Sequence, residues 1–362
     1  ELEAEDFWVS SDGTVLLKKK TEQDFNDFAS DSRHKYFVVD LIYFYRKTVE
    51  SFNYEKFYDF LNSIDTSQKD TDFANFCNEF REKYHIDTDN LNLISRTKNI
   101  FNQLISRFIV DGEGKKFYDN IHYSKPSYPG YTGFLNCLES WGTQGITHIH
   151  TLNHDIFFET LSHSDWIQGN FSDGFEEMGS NYYGGLKDNV KVRLSYFTNK
   201  YTNQFRLYKL HGSFDQFPFH LQDSSIDTYV KMKLGMGTTE FYKEVEDGKG
   251  GYKYVNDWIN YHPDFLSGTT SKILRYGEPY YYDKVFANFK NNLSQSNKLI
   301  IVGYGCADSE INKMIKNNFD FKKYPVIIVD PYPNEQTKLF AEEFNGKIIE
   351  KTPSNLEIGD CE

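Results

Sequence analysis

The second half of the sequence alternates short β-branched runs with helical patterns, and this alternation constrains the fold more than any other feature. A strand–helix–strand order is typical of a parallel sheet with helices on its faces. The predicted strands are THIHTL (147–152), RLYKLHG (206–212), KLIIVGYG (298–305), PVIIVDP (325–331) and GKIIEKT (346–352). The predicted helices are IFFETLSH (156–163), DKVFANFKNNLSQ (283–295), SEINKMIKNNF (309–319) and EQTKLFAEEF (335–344).

The first half is different, because its apolar residues recur at spacings of three and four, the period of an amphipathic helix. The segments concerned are FVVDLIYFYRKTVESF (37–52), TDFANFCNEFREKY (71–84), LNLISRTKNIFNQLISRFI (91–109) and TGFLNCLESW (132–141). We therefore predict one domain over 1–362, with a helical module at 21–140 preceding an α/β core at 146–350. The stretch from Gln216 to Pro279 has weaker periodicity and is expected to be a surface excursion.

Composition excludes several classes of protein. Acidic residues number 53 against 40 Lys and Arg, a formal charge of −13, which disfavours binding to nucleic acid. The four cysteines form no C-x-x-C pair, so neither a zinc ribbon nor a disulfide framework is indicated. No apolar run is long enough to span a bilayer, and residues 1–10 lack a signal-peptide pattern. These features predict a cytoplasmic protein without membrane or metal partners. The high aromatic content is explained either by oligomer interfaces or by a codon bias.

Polar residues follow four of the predicted strands, where the carboxyl ends of parallel strands meet and ligands bind. Each has a simpler explanation as well. Asn153 or Asp155 could cap the next helix, His211 could be an ordinary turn residue, and Asp308 could cap a helix. The residues are Asn153, His154 and Asp155; His211, Gly212 and Ser213; Gly303, Tyr304, Gly305 and Asp308; and Asp330.

Three of these stretches resemble signatures of the sirtuin (SIR2) superfamily. TLNHD at 151–155 is similar to its T-Q-N-I-D motif, and KLHGSF at 209–214 is similar to L-H-G-S-F. IIVGYGCADSEIN at 300–312 resembles a G-Y-S-x-x-D-x-x-I segment of bacterial SIR2-like defence proteins. The three occur in the family's order and cover about half of the chain.

The resemblance implies a Rossmann-like parallel sheet that binds NAD+ as substrate and breaks its nicotinamide–ribose bond. Asn153 would then lie beside the nicotinamide ribose, and His211 would be the catalytic base. The remaining candidates would contact the nucleotide or support its loops: Asp155, Gly212, Ser213, Gly303, Tyr304, Asp308 and Asp330. An imidazole can accept a proton near neutral pH, and an amide can orient a ribose or a water without adding charge.

Two departures refine this expectation. Protein-deacylating sirtuins hold a structural zinc with two cysteine pairs after the catalytic histidine, whereas 216–279 contains no cysteine. The helical module instead resembles that of NAD+ hydrolases of bacterial antiviral defence, which form homo-oligomers or act with a HerA-like hexameric ATPase. The family's Gly-Ala-Gly-x-Ser loop is not found before Asn153, so we expect it, with a strand beside THIHTL, in residues preceding Glu1.

Protein deacylation, ADP-ribosyl transfer and a non-catalytic NAD or ADP-ribose sensor stay open as alternatives. The sequence shows no carboxylate cluster typical of a two-metal nuclease.

Overall fold

The computed structural model describes residues 2–3, 7–9, 15–17, 30–65, 71–85, 87–95, 97–98, 101, 128, 130–162, 164–167, 171–186, 190–220, 225–232, 240–259, 263–266, 268 and 271–362. Its strands are β1 Leu2–Glu3, β2 Phe7–Val9, β3 Val15–Leu17, β4 Thr147–Thr151, β5 Phe171–Ser172, β6 Phe175–Glu176, β7 Tyr182–Gly185, β8 Lys191–Arg193, β9 Ser195–Phe197, β10 Phe205–Lys209, β11 Gln216–His220, β12 Ile226–Lys231, β13 Glu240–Glu246, β14 Tyr252–Ile259, β15 Leu299–Val302, β16 Val326–Val329 and β17 Lys347–Ile349. Its helices are α1 Ser30–Arg46, α2 Tyr54–Ser63, α3 Asp72–Tyr84, α4 Thr132–Gln144, α5 Phe157–Leu161, α6 Ser271–Leu274, α7 Tyr282–Gln295, α8 Ser309–Asn318 and α9 Glu335–Glu343. None of the helices within these ranges is long and apolar enough to cross a membrane.

The five predicted strands of the second half are all present and pair in parallel. β10 lies between β4 and β5, and β16 lies between β15 and β17. The expected single parallel sheet is therefore replaced, over the described strands, by two parallel sheets of three strands each. In this part of the chain β4 pairs only with β10, and β15 pairs only with β16.

Both faces of each parallel sheet are covered, and the same two apolar clusters cover both sheets. Ile327 and Val329 of β16 pack on the side of α4 and α5, and Val326 and Ile328 pack on the side of α7, α8 and α9. β10 is divided in the same way, with Phe205 on the first side and Tyr208 on the second. Because strands covered on both faces need apolar residues at every position, they appear in sequence as continuous apolar runs.

The expectation for 216–279 as a surface excursion is wrong. The segment supplies β11 to β14, which join β6 to β9 in an eight-stranded antiparallel sheet of order β6-β9-β12-β11-β14-β13-β7-β8. Phe219 and Val230 are fully buried within it. Its strands pair with partners far along the chain, such as Tyr242 with Tyr183. Local periodicity cannot reveal such pairings.

The N-terminal helices α1, α2 and α3 pack around an apolar cluster of their own. α3 and α4 match predicted helices, α1 overlaps the helix predicted at 37–52 but ends at Arg46, and α2 was not predicted. Asn53 caps α2 at Lys56 N (3.0 Å), and Thr71 caps α3 at Ala74 N (3.1 Å). Residues 91–95, 97–98 and 101 of the predicted helix at 91–109 are helical, and the rest of that prediction lies outside the described residues. The proposed limits of a module at 21–140 stay a prediction.

Candidate active site at the carboxyl ends of the parallel strands

The register of β4 and β10 brings two candidate loops side by side. Thr151 pairs with Lys209 as the last residue of each strand, so Asn153 and His211 both lie two residues beyond a paired position. Leu210 N also donates to Thr151 O (3.0 Å), which extends the pairing toward the loops. The Asn153 and His211 loops therefore leave the same sheet edge next to each other.

Hydrogen bonds join these two loops directly. The His154 carbonyl accepts from Phe214 N and from the hydroxyl of fully buried Ser213, both at 3.1 Å. The Asp155 carbonyl accepts from the Lys209 ammonium. Carbonyls that are partly removed from water are rarely left without a donor. The two loops consequently form one connected unit.

Asp155 stabilises the start of α5 from the position before its N-cap, Ile156, whereas Asn153 does not. Asp155 Oδ1 accepts from Phe157 N (2.9 Å) at the start of α5. Asn153 is exposed, its main-chain N donates to Thr151 Oγ1 (3.0 Å), and α5 begins without a side-chain cap at Ile156. The Asn153 amide is thus presented at the sheet edge and is not used to start the helix.

His211 is almost completely buried, with 6% of its surface exposed, and its Nε2 has no hydrogen-bond partner among the described residues. Its ring centroid lies 6.3 Å from those of His154 and Tyr276. Burial lowers the pKa of His211 to about 3, with the positive charges of His154 and Lys272 acting in the same direction. His211 is therefore neutral at physiological pH, the protonation state that a general base requires.

Gly212 allows the histidine loop to pack closely against residues 264–266, the covering segment. Its φ is +78°, a left-handed conformation that favours glycine. Gly212 forms a bridge with Phe265, and Leu266 N donates to the His211 carbonyl (2.8 Å). The Phe265 ring packs on His154 at 4.6 Å between centroids. Residues 264–266 therefore lie over the histidine loop.

The second parallel sheet contributes Gly303, Tyr304 and Asp308. Gly303 follows β15 with φ +65°, and the Tyr304 hydroxyl lies 3.0 Å from the Asp308 carbonyl. Asp308 Oδ1 caps α8 by accepting from Glu310 N (3.1 Å) and Ile311 N (3.2 Å). The capping interpretation is thus correct for Asp308. Its second carboxylate oxygen contacts Lys272.

Two residues that the sequence did not indicate connect the sheets. Lys272 Nζ lies 2.7 Å from Asp308 Oδ2, and the Tyr276 hydroxyl lies 3.5 Å from the same oxygen. Tyr276 also faces His211, so it lies between the histidine of one sheet and the carboxylate of the other. Although burial acts to raise it, the pKa of Asp308 is held below its usual value by the hydrogen bond and charge of Lys272. The sequence around α6 carries no motif that could have predicted these roles.

Asp330 follows β16 and is engaged with the turn that comes after it. Its Oδ1 accepts from Tyr332 N (2.9 Å) and its Oδ2 from Thr337 Oγ1 (3.3 Å), so both oxygens support the turn before α9. Burial raises the pKa of Cys306 to about 11, and the Asp330 charge adds to the effect. No hydrogen bond found among the described residues joins Asp330 to Asn153 or His211.

The N-terminal helices reach the site at two points. Phe265 is fully buried and belongs to the apolar cluster of α1, α2 and α3, so its ring contacts both that cluster and His154. Burial raises the pKa of Glu55 in α2, against the opposing effect of the Lys272 charge. In the parts of the chain that the structure covers, no three His, Cys, Asp or Glu side chains are arranged to hold a metal ion.

Comparison with known families gives one match. The SIR2-like domain family matches residues 147–349, which is more than half of the chain and includes every candidate residue from Asn153 to Asp330. No curated protein matches the sequence. The matched range contains the strands of both parallel sheets and of the eight-stranded antiparallel sheet. The chain belongs to the SIR2-like domain family.

Proposed function

We propose that the protein hydrolyses NAD+ at the bond between nicotinamide and ribose, releasing ADP-ribose and nicotinamide. Membership of the SIR2-like family supports an activity that involves NAD. The observation that carries the proposal is His211, a neutral imidazole with an unpartnered Nε2, beside the Asn153 loop at the carboxyl edge of a parallel sheet. Such an edge is where dinucleotides bind in folds of this kind.

The chemistry that this arrangement supports is displacement at the anomeric carbon of the ribose. Cleavage develops oxocarbenium character at the ribose, as in glycoside hydrolysis. The Asn153 amide would orient the ribose or the attacking water without adding charge. A water oxygen bonds to the ribose carbon, the electron pair of the glycosidic bond goes to the nicotinamide nitrogen, and the water's proton goes to His211. The net products are ADP-ribose, nicotinamide and one proton.

Access to His211 requires a change at the covering segment. A base with a pKa of about 3 accepts a proton weakly, because basicity must match the operating pH. Since burial is the main cause of that low value, entry of water and substrate would raise the pKa of His211 toward its usual range. We therefore propose that the covered site is the resting state and that hydrolysis follows movement of residues 264–266.

The biological role that we propose is depletion of NAD+ as an effector of bacterial antiviral defence. This rests on the resemblance of 300–312 to SIR2-like defence proteins, and the same resemblance suggests a homo-oligomer and a HerA-like hexameric ATPase as partners. An enzyme that consumes NAD+ must be held inactive until it is needed. The buried state of His211 agrees with such control.

The test is incubation of the purified protein with NAD+ alone, with products separated by liquid chromatography. Release of ADP-ribose and nicotinamide without an acceptor is expected, whereas turnover that needs an acetylated peptide or a protein acceptor would identify a deacylase or a transferase. His211→Ala should lower turnover by about 10²–10⁴-fold, the usual contribution of a general base. His148→Ala, on the same sheet but away from the loops, is the matched control and should stay active.

Asn153 is tested with a pair of substitutions. Asn153→Ala should remove turnover, and Asn153→Asp should be nearly as harmful, because a carboxylate has no amide donor and adds a charge. A helix cap would tolerate Asp as well as Asn. Hydrolysis by the Asp variant at the wild-type rate would contradict the assignment of Asn153 to the reaction.

A further inference from the structure

Lys209 is an unusual residue for the end of a buried strand. Only 1% of its surface is exposed, and 2% of its side chain. Taking an ammonium out of water is costly unless it is paired and hydrogen-bonded, so a lysine in this position has specific partners. Those partners lie in the loop that carries Asn153 and in the helix that follows it.

Among the described residues the Lys209 ammonium has two contacts, and both cross from β10 to the segment after β4. It donates a hydrogen bond to the main-chain carbonyl of Asp155, and it lies 3.8 Å from Glu159 Oε2 in α5. Lys209 is two residues before His211, and Asp155 is two residues after Asn153. One side chain thus spans the two loops that carry the proposed catalytic groups.

The charge of Lys209 is balanced within a buried network. Glu159 Oε1 lies 3.2 Å from Lys231 Nζ, which also lies 2.6 Å from Asp173 and 3.6 Å from Asp215. Two ammonium groups face three carboxyl groups, and burial raises the pKa of Glu159 against the opposing charges of Lys209 and Lys231. Asp215 follows Phe214 in the histidine loop, so the network contacts that loop at its other end. Lys209 therefore has its counter-charge without help from a substrate.

We propose that Lys209 is a positioning residue for the NAD+ cleavage described above, fixing the Asn153 loop relative to His211 through its hydrogen bond to the Asp155 carbonyl. This inference rests on the proposed function. Both partners help to balance the burial of the ammonium, so the hydrogen bond by itself would also fit a structural lysine. The bond to a main-chain oxygen of the site loop is what relates Lys209 to catalysis, because small displacements of reacting groups lower the rate strongly.

Stability and positioning can be separated by substitution. Lys209→Met removes the hydrogen bond and leaves Glu159 with one fewer cation. The double variant Lys209→Met with Glu159→Met removes both charges, and replacing a buried ion pair by apolar side chains of similar volume is often neutral for stability. Lys231 keeps Asp173 and Asp215 as partners in both variants. A structural ion pair would regain activity in the double variant, whereas a positioning residue would not.

The experiment measures kcat and KM for NAD+ in the folded wild type, the single variant and the double variant. We expect kcat to fall about 10²-fold in both variants, the effect of a displacement of about 1 Å, while KM changes less than about threefold. Recovery of kcat in the double variant to within about threefold of the wild type would overturn the proposal. So would a single variant that is as active as the wild type.

Hydrogen exchange distinguishes failure of this proposal from failure of the proposed function. The amides of Phe157 and Phe214 are bonded to Asp155 Oδ1 and the His154 carbonyl, and they report on the loops even if no NAD+ is cleaved. In Lys209→Met they should exchange at least tenfold faster, while Gly303 N, bonded to Val329 O in the other sheet, should not change. Unchanged exchange at Phe157 and Phe214 would overturn the positioning role whatever the activity of the wild type.

Discussion

Three glycines near the site allow backbone strain to be separated from steric clash by alanine substitution. Gly212 has φ +78°, and an added Cβ would lie 2.7 Å from the Asp264 carbonyl, 2.8 Å from the Tyr282 hydroxyl and 3.0 Å from Phe265 Cα. Gly303 has φ +65° but open space around the added atom. Gly305 lacks a positive φ, and its nearest neighbour is Asn334 Nδ2 at 3.5 Å, an ordinary contact.

The expected effects follow from these geometries. Gly305→Ala should be neutral or stabilise the protein by about 0.5 kcal/mol, because it restricts the unfolded chain without a clash. Gly303→Ala should cost about 1–2 kcal/mol of left-handed strain. Gly212→Ala combines that strain with overpacking against main-chain atoms that cannot easily move, which adds about 1–3 kcal/mol, for a total of about 2–5 kcal/mol.

The assay is urea unfolding followed by circular dichroism, with the free energy of unfolding taken by linear extrapolation. Stability should decrease in the order Gly305→Ala, Gly303→Ala, Gly212→Ala. A Gly212→Ala variant as stable as Gly303→Ala would refute the reasoning, because it would mean that residues 264–266 do not lie against the histidine loop in solution.

Two further predictions concern the buried histidines and their cover. The pKa of His211 is about 3 in the folded chain against an ordinary value near 6.5, so below pH about 6.5 the unfolded state binds the proton first, and stability should fall by up to about 1.4 kcal/mol per pH unit toward pH 3. Urea unfolding between pH 7.5 and 4 measures this slope; His211→Phe should reduce it by about one proton, and an equal slope in both proteins would contradict the buried neutral state. Phe265→Ala should cost about 3–5 kcal/mol, since the ring is fully buried between the N-terminal helices and His154. It should also raise the pKa of His154 from about 4, because burial is its main cause, and imidazole NMR titration would show no change if Phe265 does not cover that ring.

The elements that the sequence predicted are those whose signal is local. β16 is buried at all four positions, and its run VIIV is visible without knowledge of its partners. α8 and α9 begin at Asp308 and Asn334, whose side chains cap them, and such starts can be recognised from a few residues. The strand expected beside THIHTL stays a prediction, as do the roles assigned to Asn153 and His211.

The elements that the sequence did not predict depend on partners far along the chain. β13 contains Glu, Tyr and Lys in a pattern that predicts little alone, and it is a strand because β7 and β14 pair with it. Lys272 and Tyr276 gain significance only because folding brings them to Asp308 and His211. Contacts of this kind leave no trace in a short window of sequence.

The sequence by itself determined which chemical groups stand at the strand ends: an amide at Asn153, an imidazole at His211 and a carboxylate at Asp308. Tertiary structure alone decided their state. The pKa of His211 is low because the folded chain buries its ring, and Lys209 is held by a carbonyl and a carboxylate from the segment that follows another strand. The physical reason is that covalent chemistry is fixed residue by residue, whereas burial and charge pairing depend on groups that only the closed fold brings within a few ångströms.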